Sequence, residues 1–268
     1  MLRTTTFLSA SLLTATLVAA PFGLGVAVAA KPPAGELVVF EAASLKEAFA
    51  TLAARFEQDH AGTHVVTNTA GSHELRAQLE HGAVADVFAS ADQRHMNALA
   101  TEGLVVGPAL FACNEPVVVV RSGLAASLKT FVDLPRAERI VVGAPEVPIG
   151  AYTVQIWQKV AAKVGADFAA RLQAKVVSHE LNVRQVLAKV VLGEADAGIV
   201  YRSDAISAKG KVALVEIPQE LNVTAAYPIA VLKAAPSPDL ARAFIDLVHS
   251  PAGATVLREA GFVPCPGR

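Results

Sequence analysis

The chain has 268 residues, 53% of them apolar, and a net charge of −1 at neutral pH. That balance excludes the basic footprint of a nucleic-acid binder or of a protein held on anionic lipid, so a charged ligand here needs a locally built site. The length suits one large domain or two lobes of about 100 residues each. In chain order, residues 1–30 read as a leader. Arg3 supplies its positive start, a small and apolar stretch follows, and Ala27-Val28-Ala29 has the small-x-small form of a signal-peptidase site. A transmembrane anchor is the competing reading, and the Thr and Ser interruptions with Pro21 and Gly23 argue against it. No cysteine lies near the leader, so a lipid anchor is not expected. An exported, unanchored chain of this kind is expected in the periplasm.

From residue 37 strand-like and helix-like patterns alternate. Strands are predicted at 37–40, 64–67, 87–89, 116–120, 139–142, 176–177, 197–200, 212–216 and 229–231. Helices are predicted at 45–56, 74–80, 92–102, 152–164, 183–192, 238–248 and 252–260. The first carries Leu45, Ala48, Phe49, Leu52 and Phe56 on one stripe, and Ser44 stands where an N-cap would. The βαβα order predicts an α/β fold with mixed, mainly parallel sheets flanked by helices. Composition breaks at Cys113-Asn114-Glu115-Pro116 and at 224–228 suggest two crossings between lobes. The expected organisation is a signal peptide (1–30), a first lobe (31–114), a second lobe (115–225) and a C-terminal return to the first lobe (226–268). In open α/β sheets ligands bind beyond the carboxyl ends of the strands, which places a cleft between the lobes.

Cys113 and Cys265 are the two cysteines. In an oxidising compartment they form a disulfide or, equally, stand as two buried thiols. There is no CxxC or HExxH, so a zinc site is not supported.

Five positions fall at strand-to-helix turns or strand ends: Ser44, Ser72, the Pro148-Ile149-Gly150-Ala151-Tyr152 turn, Asn182-Val183-Arg184, and Tyr201. Each alone has a bland role as a cap, a turn residue or half-buried packing. Other polar residues read as structural. Asp86 and Asp92 suit turn bonding and capping, His60, His64 and His81 suit the surface, and His179-Glu180 suits a solvated loop end. No Gly-x-Ser-x-Gly elbow marks a nucleophile.

Together these segments resemble the periplasmic molybdate-binding proteins (ModA) of molybdate ABC transporters. The resemblance rests on Ala42-Ala43-Ser44-Leu45, Gly71-Ser72, Gly82-Ala83-Val84-Ala85-Asp86-Val87-Phe88-Ala89-Ser90-Ala91-Asp92, Pro148-Ile149-Gly150-Ala151-Tyr152 and Gly198-Ile199-Val200-Tyr201-Arg202-Ser203-Asp204-Ala205. It spans residues 36–262, in order. It implies a two-lobed type II periplasmic binding protein, not an enzyme, that takes molybdate or tungstate from the medium and delivers it to a membrane ABC permease. It implies a monomer that contacts the permease transiently, with no cofactor and no nucleic-acid partner. The implied oxyanion site is Ser44 and Ser72 through hydroxyl and backbone N–H, Ile149 and Val183 through backbone N–H, and Tyr201 through its phenol. The metal centre of the oxyanion would have no direct protein ligand. Ile149 stands where alanine is common, which predicts a bulkier wall, and His73 stands where a small residue is common.

Such a set offers only hydrogen-bond donors. A fully deprotonated dianion accepts at every oxygen, whereas monohydrogen phosphate must also donate once, and an unpaired buried donor costs about 1–3 kcal/mol. Helix N-termini after Ser44, Ser72 and near Val183 favour the anion. The other readings are a receptor for another oxyanion, such as sulfate or a small organic anion, and an exported α/β hydrolase.

Overall fold

A computed structural model describes residues 35–265. The leader expectation lies outside the described residues. The first half of the fold starts with β1 (Gly35–Ala42), a tight 3-10 turn (Ala43–Leu45) and α1 (Lys46–Asp59), then β2 (Thr63–Ala70), α2 (Ser72–Glu80), β3 (Val87–Ala89), α3 (Gln93–Thr101) and β4 (Val105–Asn114). The second half follows with β5 (Pro116–Arg121), β6 (Ile140–Gly143), α4 (Pro148–Lys163), α5 (Ala166–Gln173), β7 (Val176–Glu180), α6 (Val183–Val191), β8 (Ala197–Tyr201), α7 (Arg202–Ser207) and β9 (Val212–Val215). The chain then returns to the first half through β10 (Ala225–Leu232), α8 (Pro238–His249) and α9 (Pro251–Glu259).

The strands form two five-stranded sheets, in the orders β2-β1-β3-β10-β4 and β7-β6-β8-β5-β9. In the first, β2, β1 and β3 are parallel, β10 runs against β3, and β4 runs against β10. In the second, β7, β6 and β8 are parallel, β5 runs against β8, and β9 against β5. Each sheet therefore has four strands in one direction and one reversed. The reversed strands are the first after each crossing: β5, entering the second sheet at Pro116, and β10, re-entering the first at Ala225.

Period-two alternation explains why helices cover both faces of the first sheet. Leu37 and Val39 of β1, with Val87 and Ala89 of β3, join the core under α1 and α8. Phe40 and Phe88, one residue out of step, join a second core with Leu75, Leu79, Met96 and Leu99 of α2 and α3. On α1 the stripe Ala48, Phe49, Leu52, Ala53 and Phe56 is buried, and Phe56 meets Phe244 of α8 edge-on at 5.4 Å. Asp86 ties three elements together: its carboxylate accepts from the N–H of Val38 at 2.8 Å and of Ser237 at 2.7 Å. In the second half, Val117–Val120 of β5 and Ile156 and Val160 of α4 are buried in the larger core.

Cys113 and Cys265 form a disulfide, with Cα atoms 5.0 Å apart. The bond fastens the end of the described chain to β4, where Cys113 and Val263 also exchange two backbone hydrogen bonds. Three elements differ from the sequence reading. β4 lies where the sequence reading has no strand; it is an edge strand that contains Pro108, and a proline is tolerated there. α5 is a short helix set off by Gly165 at φ 132°. α7 grows directly out of the Tyr201 strand end and is started by Asp204, which accepts from the Tyr201 N–H at 3.2 Å. Among the described residues no helix is long and apolar enough to cross a membrane.

Candidate functional site: a donor-lined cavity between the two sheets

The carboxyl ends of β1, β2 and β3 face those of β6, β7 and β8 across one small cavity. Each strand contributes the segment that follows it: Ala42 to Ser44, Gly71-Ser72 and Ala91 from the first half, and Val147 to Ile149, Asn182-Val183 and Tyr201 from the second. All five predicted site residues line it. The predicted set lacked Ala91, the sixth strand end, although it lies in the segment that carried the resemblance. None of the twelve lining residues is charged.

Local structure explains the donors. An α-helix leaves the N–H groups of its first turn without intrahelical partners. Ser72 is the first residue of α2, and its N-cap Gly71 has no side chain to offer. Ile149 is the second residue of α4, after the ring of Pro148, and its N-cap Val147 makes no side-chain cap. Val183 opens α6, where the Asn182 side chain accepts from Gln185 N–H at 3.1 Å and leaves the Val183 N–H over. Gly150 lets α4 start this close to β6, since a Cβ there would sit 1.9 Å from the Ala144 carbonyl oxygen.

The hydroxyls are equally specific. Ser72 Oγ accepts from the backbone N–H of Ala91 at 3.0 Å, so its own proton is free to be donated. Ser44 does not cap α1. Neither the 3-10 turn nor α1 has a side-chain cap, because Ser44 lies inside the turn, and its Oγ instead lies 2.9 Å from the phenol oxygen of Tyr227 in β10. Tyr201 is 1% exposed, and its phenol oxygen has no hydrogen-bond partner in the protein. Burial, with the nearby phenols of Tyr227 and Tyr152 and the Asp92 and Asp204 carboxylates, holds the Tyr201 phenol well above its ordinary pKa, so it stays a donor. An orphaned buried hydroxyl costs about 1–3 kcal/mol, and such groups call for a partner. Among the described residues no group of three or more His, Cys, Asp or Glu is placed to hold a metal ion.

Residues 37–263 match the family described as bacterial extracellular solute-binding protein. The chain belongs to that family. This solute-binding protein is 41% identical over 263 residues to the molybdate-binding protein ModA of Mycobacterium tuberculosis, covering 95% of this chain and 97% of the relative. It also resembles the solved periplasmic molybdate-binding protein of Azotobacter vinelandii, with a TM-score of 0.74 and 22% identity over 85% of this chain and 99% of that one. The sulfate-binding protein SubI of Mycobacterium tuberculosis is similar as well, with a TM-score of 0.75 and 21% identity over 87% of this chain and 88% of that one. At those two identities the likeness is one of fold, and the fold is the two-lobed one of periplasmic binding proteins. The protein is a binder of solutes and not an enzyme.

Around the cavity, the two halves of the solute-binding protein touch directly. Arg184 of α6 donates from Nε to the Ala43 carbonyl at 3.1 Å, reaches the Glu47 carboxylate with Nη2, and donates from Nη1 to Ser207 Oγ at 2.8 Å. Its Nε also lies 3.0 Å from Asp204 Oδ1, an ion contact rather than a hydrogen bond, since the N–H is aimed at Ala43. Burial raises the Asp204 pKa to about 6, partly offset by Arg184 and by the Tyr201 N–H. On the first half, Arg94 Nη2 donates to the Glu146 carbonyl at 2.7 Å, and His95 Nε2 lies 3.0 Å from the same oxygen. The contacts that Arg184, Arg94 and His95 make across the cleft have no local signal in the sequence, because each reaches a residue at least 51 positions away.

The two departures from the family pattern are absorbed locally. The Ile149 side chain packs against Gly143, where a Cβ would lie 2.7 Å from Ile149 Cγ2, so the extra carbons are accommodated by the missing side chain of β6. His73 stays off the cavity lining and lays its ring against Gly71. Of the remaining histidines, His60 stacks on Phe56 at 4.0 Å and His81 bonds its own helix at the Ala77 carbonyl. Asp92 caps α3 by accepting from His95 N–H at 3.0 Å.

Proposed function

We propose that the protein is a periplasmic receptor that captures molybdate or tungstate and delivers it to the permease of an ABC transporter. Residues 1–30 are its cleaved signal peptide, 31–114 with 226–268 its first lobe, and 115–225 its second. The anion sits between the lobes. It accepts from the hydroxyls and N–H groups of Ser44 and Ser72, from the backbone N–H of Ile149 and Val183, and from the Tyr201 phenol. Molybdenum or tungsten arrives as its oxyanion, with no protein ligand on the metal and no further cofactor. The receptor works as a monomer that meets the permease transiently.

The observation that carries this reading is the Tyr201 hydroxyl, buried and unpartnered in a cavity that holds donors and no charged side chain. A dianion that accepts at every oxygen satisfies that wall. Monohydrogen phosphate leaves its own proton unpaired there, at about 1–3 kcal/mol. The name carried by the mycobacterial relative, matched over nearly the whole chain, supports molybdate as the ligand.

The test is a titration of ligand-free protein with molybdate, tungstate, sulfate and phosphate, read by thermal melting and by the fluorescence of Trp157. At 100 times its dissociation constant a ligand adds about 2.7 kcal/mol of stability. Molybdate and tungstate should raise the melt and phosphate should not. Sulfate as effective as molybdate would replace the proposed ligand with a general dianion, and no shift with any oxyanion would remove the reading.

A further inference from the structure

The Ser44–Tyr227 contact gives the cavity a property that the lining alone does not. Both oxygens are buried, and either could be the donor by geometry. Chemistry decides the direction. A phenol is a far stronger acid than an aliphatic alcohol and is the better hydrogen-bond donor. Asn114, fully buried at the end of β4, is engaged elsewhere: its Nδ2 donates to Ser203 Oγ at 2.9 Å and its Oδ1 accepts from Glu115 N–H at 2.9 Å. The Tyr227 proton therefore goes to Ser44, 2.9 Å away.

We propose that Tyr227 is a specificity-determining positioning residue: it donates to Ser44 Oγ and so commits the Ser44 hydroxyl proton to the ligand. Ser72 is committed in the same way by the Ala91 N–H. A serine hydroxyl is ordinarily ambivalent, one donor with two lone pairs, and could accept the proton of a monohydrogen oxyanion. With Tyr227 donating, a reversal of Ser44 would leave its proton facing a phenol that is itself a donor. Burial keeps the Tyr227 phenol well above its ordinary pKa, so the commitment holds across the working pH range. Discrimination against protonated oxyanions is then set one shell behind the ligand, by a residue that does not line the cavity.

This inference rests on the proposed oxyanion reading, and the experiment separates the two. Molybdate affinity is measured for the wild-type protein, Tyr227→Phe, Ser44→Ala and the double variant, with phosphate measured by competition in each. Tyr227→Phe should weaken molybdate roughly five- to tenfold and phosphate much less, so the ratio between them narrows. In the Ser44→Ala background the same change should have almost no effect, because Tyr227 acts through Ser44. Should Tyr227→Phe fail to fold, Tyr227→Met, which removes the same donor and fills the space with a flexible apolar chain, must narrow the same ratio. A wild-type protein that binds no oxyanion overturns the reading and this inference with it. Equal losses for molybdate and phosphate, additive effects in the double variant, or an unchanged ratio overturn the role of Tyr227 alone.

Discussion

The Arg184 guanidinium of the second half donates to the main-chain carbonyl of Ala43 in the first, at 3.1 Å, beside the residue whose hydroxyl enters the cavity. The same group also reaches the Glu47 carboxylate across the cleft, and on its own side it donates to Ser207 Oγ and lies in ion contact with Asp204. Opposite, Arg94 and His95 of the first half hold the Glu146 carbonyl, next to the N-cap of α4. The two sides are thus fastened through backbone that belongs to the cavity wall, and opening the cleft must break these bonds.

Glu47→Gln tests that fastening without uncovering Asp204. Glu47 is half-exposed, so its pairing with Arg184 is worth about 0.2–1 kcal/mol. Stopped-flow release of molybdate should quicken by roughly 1.5- to fivefold, with the association rate little changed. Arg184→Gln should do more damage, because it leaves the buried Asp204 carboxylate unpaired.

Gly71 has an ordinary extended backbone, φ −63° and ψ 139°, which alanine adopts freely. A Cβ there would nonetheless lie 2.7 Å from the carbonyl oxygen of Leu181, on the other side of the cleft, and 2.7 Å from the His73 ring. Gly71→Ala is therefore expected to fold and melt close to the wild type, yet to bind molybdate at least about tenfold more weakly, since about 1.4 kcal/mol of obstruction suffices. Small-angle scattering should show it staying expanded at molybdate concentrations that compact the wild-type protein. Unchanged affinity would mean that the halves need not approach this closely.

Tyr201→Phe removes a hydroxyl that has no partner in the protein. Ligand-free protein should gain about 1 kcal/mol or more, because a buried unsatisfied group is deleted. Molybdate affinity should fall over the same change. Opposite signs for stability and affinity, read from one pair of melting curves with and without ligand, mark a group kept for binding.

Glu41, in β1, is 1% exposed, accepts from Thr69 Oγ1 at 2.7 Å, and has an Oε2 without a partner. Burial raises its pKa to about 7. The folded protein therefore keeps a proton that the unfolded chain releases near pH 4.5. Stability is full below that value and declines as pH rises to about 7, by roughly 3 kcal/mol for a shift of this size. Glu41→Gln should flatten this part of the profile between pH 5 and pH 8, measured by urea unfolding. An equally steep decline in the variant would assign it to another group, Asp204 being the next buried acid.

Much of this was readable in the chain because the site is built from local signals. Ser72, Ile149, Val183 and Tyr201 each stand where a strand ends and a helix begins, and periodicity locates such junctions well. Ser44 was readable as a position but not in its role: serine before a helical stripe reads as a cap, and only the fold brings Tyr227 to it from 183 residues away. Tyr227 itself lies inside β10, beside a Pro228 that shortened the predicted strand, and a register shift in the pairing with β4 falls between those two residues. The cross-cleft arginines carry no local signature, since a surface arginine next to a helix start is ordinary. The cysteine pair could not be decided without the distance between β4 and the end of the chain.

The two crossings between sheets also set an order of assembly. The strands of the second sheet, from Pro116 to Val215, are one uninterrupted stretch, whereas the first sheet inserts β10, from Ala225, between β3, ending at Ala89, and β4. A chain that folds as it emerges can complete the second sheet while the first still lacks its penultimate strand. Contacts that distant in sequence form slowly. The late arrival of β10 then brings Tyr227 to Ser44, so the ligand-facing hydroxyl acquires its direction only when the last sheet closes.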